Sequence, residues 1–238
     1  GITVSDDEVW VADVFSIRSF DRETGEALET HPNWLGVSSL GTSFNISAAD
    51  DNLIITSFFD SDVRVWNPST QERIATYGDL LGPVSGVSYS GGVAVSEHFT
   101  GTVTLHSETD AVVLAAEMSA PSGLYVAGDS LYVGDRVLGQ IWRIAEGGEA
   151  LTEPEVVADG LDAPEGFIVT DDNGIVVVEA GSGTIVHIDI DGVRNELGDI
   201  TPGADGLPFF PPSNFFTGLD IDADGNLFVT SEIENTVY

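Results

Sequence analysis

FTGLDIDADGNLFVTSEIENTVY, residues 216–238, contains the pattern that decides the fold of this chain. Apolar and polar residues alternate on both sides of an Asp-Gly pair at 224–225, and a further alternating run begins at Thr236. Alternation with a period of two around an Asp-Gly turn is typical of a β-hairpin. The segment therefore predicts a hairpin followed by the start of a third strand.

Variants of this pattern recur along the whole chain. The copies begin at Gly1, Ser43, Ser85, Ser122, Glu165 and Thr217. Each is followed by a third alternating run, and most by a weaker fourth run such as 73–77 or 112–116. A period of about 40 to 50 residues with roughly four strands per copy is typical of propeller blades. Since a blade buries its faces only against neighbouring blades, we predict one all-β domain over residues 1–238, a six-bladed β-propeller whose last blade is incomplete.

The composition excludes several kinds of chemistry. The chain has 40 acidic and 7 basic residues, and every basic residue is an arginine. Without lysine there is no Schiff-base or P-loop lysine, and without cysteine there is no thiol catalysis, disulfide or thiolate metal site. A net charge of −33 attracts cations and repels nucleic acid and anionic membrane surfaces.

The same composition gives expectations for partners and location. No apolar run approaches the roughly 18 residues of a membrane helix, so we expect no membrane insertion. We also expect no nucleic-acid partner. The acidic excess favours an extracellular or periplasmic setting, and the cytoplasm of a halophile is the alternative.

Two sets of positions should emerge on one face, because neighbouring strands in a blade are antiparallel. Residues just before the first strands are Ser43, Ser85, Ser122, Glu165 and Thr217. Residues just after the second strands are Asp13, Ser57, Glu97, Asp135, Glu179 and Ser231. Clustered carboxylates either raise their pKa values or bind a cation, and calcium is the natural candidate. The predicted metal ligands are Glu165, Glu179, Asp135 and Asp13; alternatively, these acids bond backbone amides at the strand ends.

Histidine supplies the candidate catalytic group. His98 follows Glu97 directly after a second strand, so the pair could activate water towards an ester-like substrate. The alternative is that His98 is an ordinary surface residue. His106 and His187 fall in third strands, where we expect packing roles, and His31 is predicted in a loop before Pro32.

Two long connections open on the same face and carry aromatic residues. Trp34, Phe209 and Phe210 could wall a small-molecule pocket above the tunnel mouth, with the hydroxyl groups of Ser85, Ser122 and Thr217 below. Alternatively, the prolines stiffen the connections and the rings plug the surface. Asp220, Asp222 and Asp224 match the front of a calcium-binding loop, but the closing glutamate is displaced, so we predict an ordinary hairpin turn.

The repeats at 164–189 and 216–238 resemble NHL-type repeats. They also resemble the six-bladed propellers of the senescence marker protein, gluconolactonase and luciferin-regenerating enzyme family. That resemblance implies a hydrolase of lactone or ester type that uses a divalent metal, with calcium as cofactor, on a small-molecule substrate. In that family acid or amide side chains before the strand-one glycines hold the metal. Only Glu165, in the PEG triplet, keeps such a ligand here, whereas Ser85, Ser122 and Thr217 carry hydroxyls.

Two further interpretations remain open. The surroundings of His98 are similar to streptogramin-lyase-type propellers, which also use histidine and glutamate on this face, although their usual ring has seven blades. The alternative to an enzyme is a non-catalytic extracellular propeller that binds a ligand or a protein partner. Such a protein could also self-associate through the exposed edge of its last blade.

Overall fold

The computed structural model describes residues 1–5, 7–32, 42–202 and 214–238. Its strands form six antiparallel sheets, the blades. Blade 1 contains β1 (Ile2–Val4), β2 (Glu8–Asp13), β3 (Ser16–Asp21) and β4 (Ala27–Pro32). Blade 2 contains β5 (Asn45–Ala49), β6 (Asn52–Ser57), β7 (Asp62–Asn67) and β8 (Glu72–Tyr77). Blade 3 contains β9 (Pro83–Tyr89), β10 (Gly92–Glu97), β11 (Thr102–His106) and β12 (Ala111–Ala115).

The remaining blades continue the same order. Blade 4 contains β13 (Pro121–Ala127), β14 (Ser130–Asp135), β15 (Gln140–Glu146) and β16 (Glu149–Ala158). Blade 5 contains β17 (Pro164–Val169), β18 (Ile175–Glu179), β19 (Thr184–Ile188) and β20 (Arg194–Asp199). Blade 6 contains β21 (Leu219–Ile221), β22 (Leu227–Ser231) and β23 (Thr236–Val237). The predicted six-bladed propeller with an incomplete last blade is confirmed.

The first strands of successive blades contact one another around the centre, and β21 contacts β1, so the ring closes. Side chains reinforce this closure. The carboxylate of Asp220 accepts hydrogen bonds from Thr3 Oγ1 at 3.1 Å and from the Val4 amide at 2.8 Å. Arg22 Nη1 lies 3.0 Å from Asp222 Oδ2. Asp222 belongs to the predicted Asp-Gly turn, whose acids therefore fasten blade 6 to blade 1.

Burial rises from the outer strands to the second strands. Every residue of β18 is buried, whereas most of β20 is exposed. A second strand is covered on both faces by neighbouring blades, which explains continuous apolar runs such as Val176–Val178. Hydrophobic clusters accordingly form between blades, and Ile168, Val178 and Leu219 belong to one that joins blades 5 and 6.

The glycines that open the repeats allow neighbouring first strands to approach closely. A Cβ on Gly166 would lie 2.6 Å from the amide nitrogen of Leu219 in the next blade. A Cβ on Gly218 would lie 2.6 Å from the amide nitrogen of Ile2. Both contacts are with backbone atoms, so the ring requires glycine at these positions.

One sequence prediction of local structure is wrong. His31 lies in β4 rather than in a loop. Its ring packs between two tryptophans, with centroids 6.1 Å from Trp10 and 4.8 Å from Trp66. These contacts extend the strand through Pro32. His106 and His187 lie in the third strands β11 and β19, as predicted.

Each blade presents its connections on two faces of the ring. The mouth face carries the turns between second and third strands and the connections between blades. The far face carries the turns between first and second and between third and fourth strands. A central channel of about 250 Å³ is lined by all six first strands, including Thr3, Ser85, Tyr125 and Asp220. None of the described residues forms a helix long and apolar enough to cross a membrane.

Candidate functional site

The carboxylates at the ends of second strands bond to backbone amides on the mouth face. Asp135 accepts hydrogen bonds from the amides of Ser119 at 2.8 Å and Leu138 at 3.0 Å. Glu97 accepts one from the Leu81 amide at 2.8 Å. These amides belong to connections, which have no strand partners, so the acids satisfy donors that would otherwise be unpaired.

The same arrangement recurs in blade 5, where Glu179 accepts from the Asp162 amide at 3.0 Å and from Arg194 Nη2 at 2.7 Å. It also recurs at two acids that the sequence alignment missed. Asp60 accepts from the Thr42 amide at 2.7 Å. Glu232 accepts from the amides of Asn214 at 2.9 Å and Phe216 at 2.8 Å.

We call these five acids, Asp60, Glu97, Asp135, Glu179 and Glu232, the carboxylate latches. Each joins the end of a second strand to the connection that enters the same blade. Asp60 and Glu232 follow their strands by three residues and by one, so the alignment placed Ser57 and Ser231 at the equivalent positions. An acid within three residues of a second strand is the sequence signal that would have found them.

Glu165 has a different environment, at the start of β17. Its side chain is 2% exposed and its carboxylate pairs with Nη1 of Arg136. Burial raises the pKa of Glu165 to about 8, and Arg136 opposes that rise. The guanidinium of Arg136 also lies 5.4 Å from the ring centroid of Phe215, a cation–π arrangement.

The four predicted calcium ligands do not fit a calcium site in this arrangement. Glu165 is paired with Arg136, and both Glu179 and Asp135 are occupied by the donors described above. Asp13 lies 3.3 Å from Arg18 at the surface. Within the described ranges, no group of three or more histidine, aspartate or glutamate side chains could hold a metal ion.

Phenylalanines fill the mouth of the channel. We call Phe44, Phe58, Phe215 and Phe216 the aromatic plug; all four are buried and belong to one hydrophobic cluster with Val84. Phe44 and Phe216 are 4.5 Å apart between centroids, and Phe215 and Phe216 are 4.9 Å apart. The plug occupies the position where the sequence predicted an acidic tunnel mouth.

His98 lies beside this plug. Its ring centroid is 5.2 Å from that of Phe215, and its Nδ1 is buried without a hydrogen-bond partner among the described residues. Burial lowers the pKa of His98, and the charge of Arg136 lowers it further, against a smaller opposing effect of Asp135. The imidazole is therefore neutral at neutral pH. Its sequence neighbour Glu97 is engaged as a latch.

The predicted substrate-binding hydroxyls lie between blades. Ser122 Oγ donates to the Pro164 carbonyl at 2.9 Å, and Ser85 Oγ accepts from the Leu124 amide at 3.2 Å. Thr217 is 2% exposed, and its Oγ1 has no hydrogen-bond partner within the described part of the chain. Trp34, Phe209 and Phe210 lie outside the described residues.

Exposed apolar side chains surround the plug on the mouth face. We call them the apolar rim: Phe15, Phe59, Phe99, Val137, Leu138 and Ile233, which all lie in turns between second and third strands and are 44–70% exposed. Phe59 continues the plug, with centroids 5.1 Å from Phe44 and 5.3 Å from Phe58. Phe99 lies 5.6 Å from Phe58. Phe59 and Phe99 thus extend the buried aromatic plug to the surface of the mouth face.

Comparisons with known proteins show the fold. The chain is similar to a catalytically inactive virginiamycin B lyase from Staphylococcus aureus with quinupristin, at 17% identity and a TM-score of 0.69, covering 100% of this chain and 78% of that one. It is also similar to regucalcin from Agrobacterium tumefaciens, described as a calcium-binding protein, at 16% identity and a TM-score of 0.64, covering 98% and 81%.

A third similar structure comes from a nidogen–laminin complex, at 16% identity and a TM-score of 0.68, covering 85% of this chain and 79% of that one. No protein-family model and no curated protein matches the chain. The predicted resemblance to senescence marker protein-type propellers is confirmed at the level of fold, because regucalcin belongs to that family.

The far face has a different chemistry from the mouth face. Its turns are built from short polar residues, such as Asp50–Asp51, Ser90–Gly91, Gly128–Asp129 and Asp224–Gly225. Ile190 and Val193, which share one turn, are the large apolar side chains exposed in the described far-face turns, at 71% and 54%. Among the described turns, the mouth face therefore carries more exposed apolar side chains than the far face.

Proposed function

We propose that this protein is a non-catalytic binding propeller that holds an apolar part of its partner against the mouth face. The observation that carries the proposal is the exposed rings of Phe59 and Phe99, which continue the aromatic plug and lie on the same face as the other side chains of the apolar rim. At roughly 200 Å² per ring, the exposed fractions of Phe15, Phe59 and Phe99 leave about 350–400 Å² of aromatic surface open to water. Exposed apolar patches of a few hundred Å² are often functional.

The contacts of the plug favour binding over catalysis. The rings close the mouth of the channel, and the latch carboxylates that surround it are held by backbone amides. A rigid aromatic floor loses little conformational entropy when a partner covers it. Aromatic residues are also the residues that most often supply the energy of protein interfaces.

Binding of a neutral apolar dye, Nile red, tests the proposal. The variant Phe59→Ser/Phe99→Ser removes two rim rings that are 52% and 69% exposed and keeps the buried plug beneath them. The matched control is Leu28→Ser/Ile74→Ser, which removes two similarly exposed apolar side chains from the outer strands β4 and β8. We expect saturable dye binding that weakens at least fivefold in the rim variant and stays unchanged in the control. Equal binding by both variants would contradict the proposal.

A hydrolase of lactone or ester type is the second candidate, and His98 is the observation that favours it. A neutral imidazole can act as a base towards a water molecule. The test is a panel of lactones and aryl esters, measured with and without calcium, on the wild type and on His98→Ala. This candidate expects activity that falls at least a hundredfold in the variant. Hydrolysis that does not depend on His98, or no hydrolysis at all, would eliminate it.

Calcium titration by calorimetry addresses the metal separately. The fold is shared with a protein described as calcium-binding, but the predicted ligands here have other partners. We therefore expect no stoichiometric calcium binding by the wild type. Tight binding that disappears in Glu165→Gln would support the metal-dependent version of the hydrolase instead.

A further inference from the structure

We infer that the partner of the mouth face is cationic as well as apolar, a segment in which apolar side chains are flanked by lysine or arginine. This inference rests on the proposed function and adds the charge of the partner to it. It follows from the distribution of paired and unpaired charges around the apolar rim.

The arginine side chains on the mouth face are already paired with acids. Arg18 lies 3.3 Å from Asp13, and Arg64 lies 2.7 Å from Asp62. The guanidinium of Arg194 lies 2.7 Å from Glu179, and Arg136 pairs with Glu165. The positive charges of Arg18, Arg64 and Arg194 are therefore neutralised within the protein, and that of Arg136 is enclosed between Glu165 and Phe215.

Several acids on the same face have no such partner. Asp79, Glu117, Asp159 and Asp162 are exposed in the connections that enter blades 3, 4 and 5, and none of them forms an ion pair with a described residue. The connections into blades 3 and 4 are hydrogen-bonded to the turns of the same blades, which carry Phe99, Val137 and Leu138. The mouth face thus presents apolar side chains beside unneutralised negative charge.

This combination selects one class of partner. An apolar anionic segment would meet like charge, and a polar cationic segment would leave Phe59 and Phe99 exposed to water. A second copy of the chain would bring together two molecules that each carry a net charge of −33. A cationic amphipathic segment satisfies both features, because it covers the rings and neutralises the acids beside them.

Three synthetic peptides of equal length separate these contributions. The first has leucines on one helical face and lysines on the other, the second replaces lysine by glutamate, and the third replaces leucine by serine. We expect the leucine–lysine peptide to bind at least tenfold more tightly than either of the others in calorimetric titrations. Its affinity should fall severalfold between about 50 and 300 mM salt, because exposed charges are screened over the Debye length.

Protein variants locate the site. Phe59→Ser/Phe99→Ser should weaken the leucine–lysine peptide at least tenfold. Asp79→Asn/Glu117→Gln removes two mouth-face charges and should weaken it at least threefold. The matched control Glu108→Gln/Asp129→Asn removes two exposed charges from the far face and should leave the affinity unchanged.

The possible negative results separate an error in the charge of the partner from an error in the proposed function. Equal binding of the leucine–lysine and leucine–glutamate peptides, with loss of both in the rim variant, would overturn the inference and leave the proposed function standing. Equal effects of the mouth-face and far-face charge variants would also overturn it, since the attraction would then come from net charge alone. Dimers in light scattering that the rim variant abolishes would show that the occupant is a second copy. If neither Nile red nor any peptide depends on Phe59 and Phe99, the proposed function itself fails.

Discussion

Replacing Glu165 by glutamine should change how the stability of the protein depends on pH. The side chain of Glu165 is 2% exposed, and burial raises its pKa from 4.5 in the unfolded chain to about 8 in the folded protein. Between these values the folded state holds a proton on Glu165 that the unfolded state has released. The stabilising contribution of this proton is therefore complete below pH 4.5 and is lost as the pH rises to 8.

The size of the effect follows from proton linkage. A difference of one bound proton changes the free energy of unfolding by about 1.4 kcal/mol per pH unit. Between pH 5.5 and 7.5 the wild type should lose about 3 kcal/mol relative to Glu165→Gln. Glutamine is close in shape to the protonated acid, so the two proteins should have similar stability below pH 4.5, and at pH 5.5 the wild type should already be about 1.4 kcal/mol less stable.

Urea unfolding, followed by tryptophan fluorescence at pH 5.5, 6.5, 7.5 and 8.5, measures this difference. With an m-value near 3 kcal/mol per molar urea, the midpoints of the two proteins should separate by about 1 M over two pH units. Comparing the two proteins cancels the titration of acids that both share. A stability difference that stays constant from pH 5.5 to 8.5 would refute the reasoning, because Glu165 would then have the same pKa in both states. Arg136→Gln removes the charge that opposes the rise in the pKa of Glu165. In this variant the loss of stability with rising pH should therefore continue above pH 8.

Three other predictions follow from single contacts. Gly166→Ala should destabilise the fold by about 3 kcal/mol or more in urea unfolding, because its Cβ meets the next blade's backbone. Gly198→Ala has open space around its Cβ and should cost less than about 1 kcal/mol. Asp135→Asn should cost about 1–3 kcal/mol, since an amide oxygen replaces only part of the carboxylate's bonds to backbone donors, and unchanged stability would contradict the latch role. Arg22→Ala should speed hydrogen exchange at the amides of β1 and β21 and spare those of blades 3 and 4, since it removes an ion pair that closes the ring.

The fold was predictable because its determinants are local. Period-two alternation and Asp-Gly turns depend on neighbouring residues, and the six copies place every blade within a few residues of its observed bounds. The glycine near the start of five of the six copies could be aligned from the sequence. Its physical reason, the approach of Gly166 to the backbone of Leu219, involves residues more than 50 positions apart and needed the structure.

The candidate site was less predictable because its chemistry depends on what each side chain contacts. The sequence places Glu97, Asp135 and Glu179 on one face, and the structure agrees. The alternation of apolar and polar residues cannot show that these carboxylates already accept hydrogen bonds from backbone amides. It also cannot show that Arg136 reaches Glu165, because that pair joins two blades. Phe44 lies directly before β5 and Phe216 three residues before β21, at different positions of the repeat, so the repeat pattern gave no sign that their rings meet.

The latches also explain why the number of acids is a poor guide to metal binding in this propeller. Each connection that enters a blade has amides without strand partners, and an ionised carboxylate is the acceptor that satisfies them best. Repeating the blade repeats this need, so acids accumulate on the mouth face for a structural reason. An acid is available to a ligand there only when no backbone donor faces it, which is the condition that exposed acids such as Asp79 and Glu117 meet. They lie beside apolar turns rather than beside one another, and this placement favours a cationic, apolar partner over a metal ion.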